Sequence, residues 1–332
     1  MKRVYLDYAA TTPTDPEVIQ AMQPYFFEKF GNPSSIHSFG QEAKAAIEDA
    51  RGKLASFLGA KPEEIVFTSG GSESNNYALY GVSTALKKKG DHIIISAIEH
   101  HAVFEPAKFL QENGFKVTVV GVDKSGLVDP ADIKKAITEK TILISVMHAN
   151  NEIGTIQPVA EIGEIARGKG IYFHSDAVQT VGHIPTKVDE LNVDLLSLSA
   201  HKFYGPKGVG ALYIRRGTRI ETYLRGGDQE RGRRASTHNT SGIVGLGKAI
   251  ELCQMKMQEE AEKLFRKKNP NNSKLKMESN PLDRISDEVL SAKKSEPVVL
   301  KGRDAEKYQV LKKWIDDVKY TKANRRIGSG KK

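Results

Sequence analysis

The sequence is poor in cysteine, because Cys253 is the only one among 332 residues. A single cysteine excludes an internal disulfide framework and any metal site built from several cysteines. Cys253 lies in a helical pattern over residues 245–264, where Leu246, Ile250 and Met257 fall on the same face. A thiol on such an apolar stripe is predicted to be packed and chemically inert. The sequence therefore offers no evident nucleophilic cysteine.

Long hydrophobic runs are also missing. No apolar segment approaches the roughly 20 residues of a membrane span, and the first ten residues lack the pattern of a signal peptide. These absences predict a cytoplasmic protein without membrane contact. Hydrophobic residues make up 39% and charged residues 27% of the chain, which is typical of a folded globular protein. The length suits one large domain and a smaller one.

Acidic residues are scarce only toward the carboxyl end. Residues 266–332 contain 19 Lys and Arg against 9 Asp and Glu, a net charge of +10, whereas residues 1–265 contain 31 against 32. The overall excess of +9 therefore belongs to this basic tail, and nucleic-acid binding by the body of the chain is not indicated. The tail is predicted to be solvated and partly disordered, with short amphipathic pieces at residues 285–290 and 308–318.

Strand and helix patterns alternate through the body of the chain, which predicts an α/β fold with a mainly parallel sheet. Ligands of such sheets bind beyond the carboxyl ends of the strands. The capping pair Asp15-Pro16 predicts the start of a first helix. Strands are predicted at residues 65–68, 92–97, 116–120, 141–147, 171–174, 193–198 and 209–214, with a short strand-like piece at 4–7. Further helices are predicted at residues 39–57, from 73 onward, and at 102–112, 130–137 and 159–167.

The small residues after the strand at 65–68 form the turn Ser69-Gly70-Gly71-Ser72-Glu73. Backbone N–H groups at a helix start can approach an anion there, and the helix dipole favours a phosphate. The turn has neither the GK[ST] ending of a Walker loop nor the GxGxxG dinucleotide fingerprint. A phosphate site and an ordinary tight turn both remain open.

Polar side chains follow the next strands. His100 and His101 are adjacent, so in extended chain they point to opposite faces and chelate one metal poorly. Asn150 ends another strand, where its amide could satisfy loop backbone or bond a ligand. Asp176 could cap a turn, or it could pair with a cation such as a protonated pyridine nitrogen.

Lys202 stands in the stretch SAHKFYGPKGVG between two apolar segments. A lysine held at a strand end by rigid turns can lose solvent, lower its pKa and form a Schiff base with an aldehyde cofactor. A plain surface lysine is the alternative. Together with the polar strand ends before it, Lys202 completes a set of groups expected at one edge of one sheet.

On these motifs the chain resembles the fold-type-I pyridoxal phosphate enzymes of the class V aminotransferase group, and specifically the NifS/IscS-type cysteine desulfurases. The resemblance covers about residues 3–265. The matching stretches are YLDYAATTP, FGNPSSIH, FTSGGSESNN, IEHHAV, HANNEIGTIQP, HSDAVQT, SAHKFYGPKGVG and GGDQERGRRASTHNTSGIVGLGKA. The resemblance implies a three-layer fold, with residues 15–248 as the cofactor-binding large domain. Residues 1–14 and 249–332 would be the remnant of a truncated or replaced small domain.

The resemblance also implies roles for individual residues. Lys202 would hold pyridoxal 5'-phosphate as a Schiff base, His100 would stack on the ring and assist acid–base steps, and Asp176 would pair with the ring nitrogen. Gln179 would bond the ring O3′ with Asn150 nearby. Thr237 would reach the phosphate of the partner subunit in a homodimer. The phosphate would be held within the subunit by Gly71, Ser72, Ser199 and His201.

The implied reaction converts L-cysteine to L-alanine and passes sulfur to an acceptor such as an iron–sulfur scaffold protein. The sequence departs from the family pattern at Ser72, where Thr is usual, and at Asp228 and Ser236, where Gly is common. It also lacks a match to the family's catalytic-cysteine loop and substrate-binding arginine, so impaired turnover is expected. The alternatives are a relative with transaminase or β-elimination activity and a non-catalytic interaction protein with a basic tail.

Overall fold

A computed structural model describes residues 3–268 of the chain. Within that range the chain forms a seven-stranded sheet and eight α-helices. The strands are β1 (Ile65–Thr68), β2 (His92–Ser96), β3 (Lys116–Val120), β4 (Thr141–Ser145), β5 (Tyr172–Asp176), β6 (Leu195–Ser199) and β7 (Gly210–Ile214). The helices are α1 (Pro16–Met22), α2 (Pro24–Phe27), α3 (Ser38–Leu58), α4 (Gly71–Leu86), α5 (His101–Glu112), α6 (Pro130–Ala136), α7 (Val159–Gly168) and α8 (Thr240–Lys268).

The sheet has the strand order β1-β7-β6-β5-β4-β2-β3. Strands β2 to β6 run parallel, whereas β7 is antiparallel to both of its neighbours, β6 and β1. Because β1 and β6 are both antiparallel to β7, β1 points the same way as β6. The carboxyl ends of six strands therefore share one edge, which confirms the predicted α/β fold with a mainly parallel sheet.

Helices cover both faces of the sheet and make three layers. The strands are buried almost throughout, so their alternate residues serve two separate cores. In β2, Ile94 joins the core beneath α3 and α8, while Ile93 and Ile95 join the core beneath α4 and α5. This arrangement fixes the strand ends rigidly and confirms the three-layer prediction.

Most element boundaries match the sequence prediction within a few residues. The Asp15 side chain accepts a hydrogen bond from the Glu17 N–H (2.9 Å), and Pro16 occupies the first helical position, as predicted for α1. Strand β5 extends farther than predicted, so Asp176 is its last residue rather than part of the following turn.

The predicted strand at residues 4–7 is wrong. These residues lie outside the sheet, and Val4 and Leu6 are 71% and 89% exposed. An extended segment becomes a strand only where a neighbour pairs with its backbone, and residues 4–7 pair with none of the described strands. The domain division at residues 248 and 249 falls inside α8 and stays a prediction. The amphipathic pieces at 285–290 and 308–318 lie outside the described residues.

Candidate active site

Three ionisable side chains meet at the carboxyl edge of the sheet. Asp176 ends β5, Lys202 closes a short 3₁₀ turn directly after β6, and His100 follows β2 at the start of α5. Asp176 interacts electrostatically with both other groups. The structure thus brings together the three residues predicted for the pyridine ring and its aldehyde.

Asp176 is buried, and both of its carboxylate oxygens are held. The Asn75 Nδ2 donates to Oδ2 at 2.6 Å, and the Val178 N–H donates to Oδ1 at 3.0 Å. Burial raises the pKa of Asp176, and these two hydrogen bonds oppose the rise, as do the charges of His100 and Lys202. The charged form of a buried carboxylate is stabilised most by a cation in direct contact with it.

His100 caps helix α5. Its Nδ1 accepts a hydrogen bond from the Ala102 N–H at 3.1 Å, so the neutral ring carries its proton on Nε2. Partial loss of solvent lowers the pKa of His100, although the charge of Asp176 partly offsets this. At neutral pH the ring is therefore mainly uncharged, which suits stacking against an aromatic ligand.

Lys202 is half-buried, and its Nζ donates to the backbone oxygens of Ala9 (2.5 Å) and Ala10 (3.0 Å). Burial lowers the pKa of Lys202, and the charge of Asp176 only partly restores it. Gln179 also donates to the Ala9 oxygen, at 3.0 Å. Ala9 and Ala10 belong to the matching stretch YLDYAATTP, but the sequence alone predicted no contact between that stretch and Lys202.

A cavity of about 400 Å³ opens at the same sheet edge, at the start of α4, and its lining includes His201, which directly precedes Lys202. Gly70 has φ +152°, in a region that favours glycine, and a Cβ on Gly71 would lie 2.6 Å from a methyl carbon of Val178. Two basic side chains, His201 and Lys207, line the cavity. The other lining residues are Thr11, Ser69, Gly70, Gly71, Ser72, Glu73, Ser199 and Gly208.

Strand register explains why residues far apart in sequence line this cavity. Thr68 at the end of β1 pairs with Gly210, and Gly210 pairs with Ser199 at the end of β6. The turn after β1 and the turn after β6 are therefore neighbours. All four residues predicted to hold a phosphate within the subunit lie here: Gly71, Ser72, Ser199 and His201.

Two further predicted residues are engaged differently. The Asn150 side chain donates to the Ile98 oxygen (2.9 Å) and accepts from the backbone of Glu152 and Ile153. Its amide thus satisfies loop backbone, one of the two alternatives given by the sequence, and contact with a ring stays a prediction. Thr237 is exposed and does not line the cavity of its own chain.

Sequence reasoning missed several side chains that support the site. Asn75 holds Asp176, and it could have been found only by noting that it lies one helical turn after Gly71 at the start of α4. Glu99 is buried beside His100, and burial raises its pKa to about 8 despite hydrogen bonds from Ser96 and Met147. No short motif indicates such partners, because they become neighbours only in the folded sheet.

Cys253 is buried beside Phe203, the residue that directly follows Lys202. Its Sγ lies 3.8 Å from the backbone oxygen of Phe203, and burial raises the pKa of the thiol to about 12. The prediction of a packed thiol is confirmed. A thiol with such a pKa is almost entirely protonated at neutral pH and is a poor nucleophile.

Two features are absent from residues 3–268. That part of the chain contains no grouping of three or more His, Cys, Asp and Glu side chains able to hold a metal ion. None of the helices described there combines the length and hydropathy needed to cross a membrane.

The sheet, the cavity at the start of α4 and the lysine after the end of β6 define a class of protein, and comparison with known proteins agrees. The family model "Aminotransferase class-V" matches residues 4–289, beyond residue 265 where the motif resemblance ends. The chain belongs to this family.

Within the family, the chain is similar to cysteine desulfurases, as its motifs predicted. It is 63% identical to cysteine desulfurase IscS of Dictyoglomus turgidum over 265 residues, which is 80% of this chain and 67% of that protein. It is 59% identical to the IscS of Clostridium botulinum over 263 residues, 79% of this chain and 66% of that protein. The chain thus spans about two thirds of the length of these curated relatives.

Solved structures give the same result. A NifS-like protein superposes with a TM-score of 0.78 at 46% identity, covering 80% of this chain and 74% of that one. A structure described as SspA in complex with cysteine superposes with a TM-score of 0.74 at 42% identity, covering 80% and 78%. These matches confirm the predicted fold.

Proposed function

We propose that this chain binds pyridoxal 5'-phosphate and acts on L-cysteine as a desulfurase. The observation that carries this proposal is that Asp176, His100 and Lys202 lie together at the sheet edge where the glycine-walled cavity also opens. The family membership and the cysteine-bound neighbour support it.

The residues present fit this cofactor. The cavity offers a helix start, His201 and Lys207 to a phosphate, and Gly70 and Gly71 leave room that a side chain would fill. Asp176 offers a buried carboxylate to a protonated ring nitrogen. Lys202 offers an amine for covalent attachment. Three chemically distinct ends of one molecule are thus each matched by a suitable group.

Bound there, the cofactor would supply an electron sink that stabilises negative charge on the substrate Cα. The negative charge of Asp176 would keep the ring nitrogen protonated. The hydrogen bonds from Asn75 and Val178 would hold the carboxylate in place for this contact. Lys202, whose pKa is lowered by burial, would carry the α-proton on Nζ. His100 would donate a hydrogen bond from Nε2 to the substrate.

Sulfur transfer needs one further group, a thiolate. The thiolate attacks the substrate sulfur, the carbon–sulfur bond breaks, and the carbon takes both electrons and a proton to become the methyl group of alanine. The sulfur leaves as a persulfide on the attacking thiol. An acceptor such as an iron–sulfur scaffold protein would then receive this sulfur.

Purified protein that is loaded with pyridoxal 5'-phosphate and then freed of unbound cofactor is expected to retain a visible absorption band, and L-cysteine is then expected to change the band and yield alanine. A covalently held aldehyde cofactor gives such a band, whereas free protein does not. Spectra and amino-acid analysis would check both steps. Pyruvate in place of alanine would favour β-elimination, and no band at all would favour a non-catalytic interaction protein.

Turnover is expected to be weak without added thiol and to rise at least about tenfold with dithiothreitol, because Cys253 is buried and protonated. Cys253→Ser should leave both rates within about twofold, since the thiol does not act as nucleophile. Sulfide release would be measured for both proteins. Ordinary turnover by the parent protein that the substitution abolishes would show that Cys253 reaches the substrate.

We further propose a homodimer in which Thr237 contributes to the partner's phosphate site. Thr237 is exposed and follows Ser236, which is also exposed and has a φ of +94°, a conformation that non-glycine residues rarely adopt. Sedimentation velocity is expected to show a dimer, with Thr237→Ala weakening cofactor affinity by about tenfold or more through loss of one hydrogen bond to a charged group. A monomer that binds the cofactor tightly would contradict the shared site.

A further inference from the structure

An acidic residue is among those that line the cavity proposed to hold the phosphate. Glu73 is in the first turn of α4 and lines the cavity together with His201 and Lys207. A negative side chain there should repel a phosphate dianion. The contacts of Glu73 indicate how this repulsion is removed.

We propose that Arg234 is a positioning residue for phosphate binding, acting through Glu73; this rests on the proposed function. The Arg234 Nε donates to Oε1 of Glu73 at 2.8 Å, and its Nη2 donates to Oε2 at 3.1 Å. This two-point contact neutralises the carboxylate and fixes its plane. Arg234 itself is not among the residues that line the cavity.

The pair also shapes the phosphate turn. Glu73 Oε2 accepts a hydrogen bond from the Ser69 N–H at 2.7 Å. This bond links the first and last residues of the turn Ser69–Glu73 and so fixes its shape at the start of α4. Both side chains of the pair are mostly buried, with 13% of Glu73 and 17% of Arg234 exposed. Burial tends to raise the pKa of Glu73, but the bonds from Arg234 and Ser69 outweigh it and hold the pKa below its usual value.

The segment that carries Arg234, residues 230–238, is held in place by contacts other than the Glu73–Arg234 pair. Glu230 is buried and makes a two-point ion pair with Arg51 at 2.7 and 2.8 Å, accepts from the Phe67 N–H at 2.8 Å, and lies 2.8 Å from His238 Nε2. Arg234 lies between the two anchored residues, Glu230 and His238. Its guanidinium is therefore held toward Glu73 by the fold.

Connection to Thr237 gives the pair a second consequence. Thr237 is three residues after Arg234 and directly before His238. The same segment thus holds a subunit's own phosphate turn and presents the residue proposed to reach the partner's phosphate.

The test compares Arg234→Gln, Glu73→Gln and the double variant in binding of pyridoxal 5'-phosphate, with pyridoxal as the ligand that lacks the phosphate. Arg234→Gln is expected to raise the Kd for pyridoxal 5'-phosphate at least about tenfold, because it leaves Glu73 charged and unpaired. Glu73→Gln should change the Kd within about threefold, and the double variant should resemble Glu73→Gln rather than Arg234→Gln. Pyridoxal affinity should stay within about twofold throughout, since no phosphate is involved.

Two further variants serve as controls. Arg225→Gln removes the same charge from an exposed position nine residues before Arg234 and should leave the Kd unchanged. Arg234→Lys keeps the charge but loses the two-point contact, so an intermediate Kd is expected. An unchanged Kd in Arg234→Gln, or equal weakening by the single and double variants, would overturn the inference. Parallel losses for pyridoxal would show a merely structural role and would also overturn it.

Inorganic phosphate separates this inference from the proposed function, because it needs no cofactor chemistry. Phosphate is expected to raise the melting temperature of the cofactor-free parent protein and of the double variant, but not that of Arg234→Gln. That pattern in a protein that never binds pyridoxal 5'-phosphate would support the role of Arg234 and sink only the proposed function. Equal stabilisation of all three proteins, or of none, would overturn the inference.

Discussion

Replacement of Lys202 by alanine is expected to abolish covalent attachment of pyridoxal 5'-phosphate and to slow α-proton exchange on amino acids by at least about a thousandfold. Lys202 is the lysine whose Nζ lies at the carboxyl edge with Asp176, and burial lowers its pKa. Without its amine the site would lose both the covalent anchor and the group that carries the proton. Exchange would be followed by proton NMR in heavy water.

The control is Lys187→Ala, since Lys187 Nζ instead bonds the backbone oxygens of Ser56 and Phe57 at the end of α3. This variant should retain attachment and exchange. Lys202→Arg should fail like alanine, because a guanidinium keeps the charge but does not form the bond. Retained attachment in either Lys202 variant would place the reactive amine elsewhere.

Replacement of Asp176 by alanine or asparagine is expected to leave the cofactor bound but to slow α-proton exchange by about a hundredfold or more, because the electron sink depends on a protonated ring nitrogen. The phosphate cavity and Lys202 do not need the carboxylate. Affinity would be measured by absorbance titration and exchange by proton NMR.

Asp194→Asn is the matched control, because Asp194 is another largely buried carboxylate in the same layer whose pKa is also raised by burial. It accepts from the Phe173 N–H at 2.9 Å and lies 4.0 Å from Arg215, away from the site. That variant should alter stability more than exchange. Near-normal exchange after loss of Asp176 would show that this carboxylate only caps the turn at Val178.

The sheet and the strand-end residues were predictable because their signals are local. Buried strands of four to five residues and turns rich in small residues stand out in the sequence, and parallel strands bring their carboxyl ends together. The motif resemblance then assigned roles to Lys202, Asp176 and His100 before their geometry was known. The predicted strand at residues 4–7 failed because pairing depends on a neighbour, which sequence patterns do not reveal.

The supporting contacts were not predictable for the same reason. Asn75 meets Asp176 across 101 residues, and Arg234 meets Glu73 across 161 residues. Each pair joins a helix to a strand end or loop, and neither spacing nor composition indicates the partner. The asparagine and the ion pair are understandable only once the site they serve has been located.

The measurement that tests the central claim most directly is reduction of the cofactor-loaded protein with borohydride, followed by peptide mapping with mass spectrometry. Borohydride fixes an aldehyde cofactor irreversibly on the amine that holds it. The account predicts one labelled peptide, with the cofactor on Lys202. A label on any other lysine, or no label after loading, would contradict it.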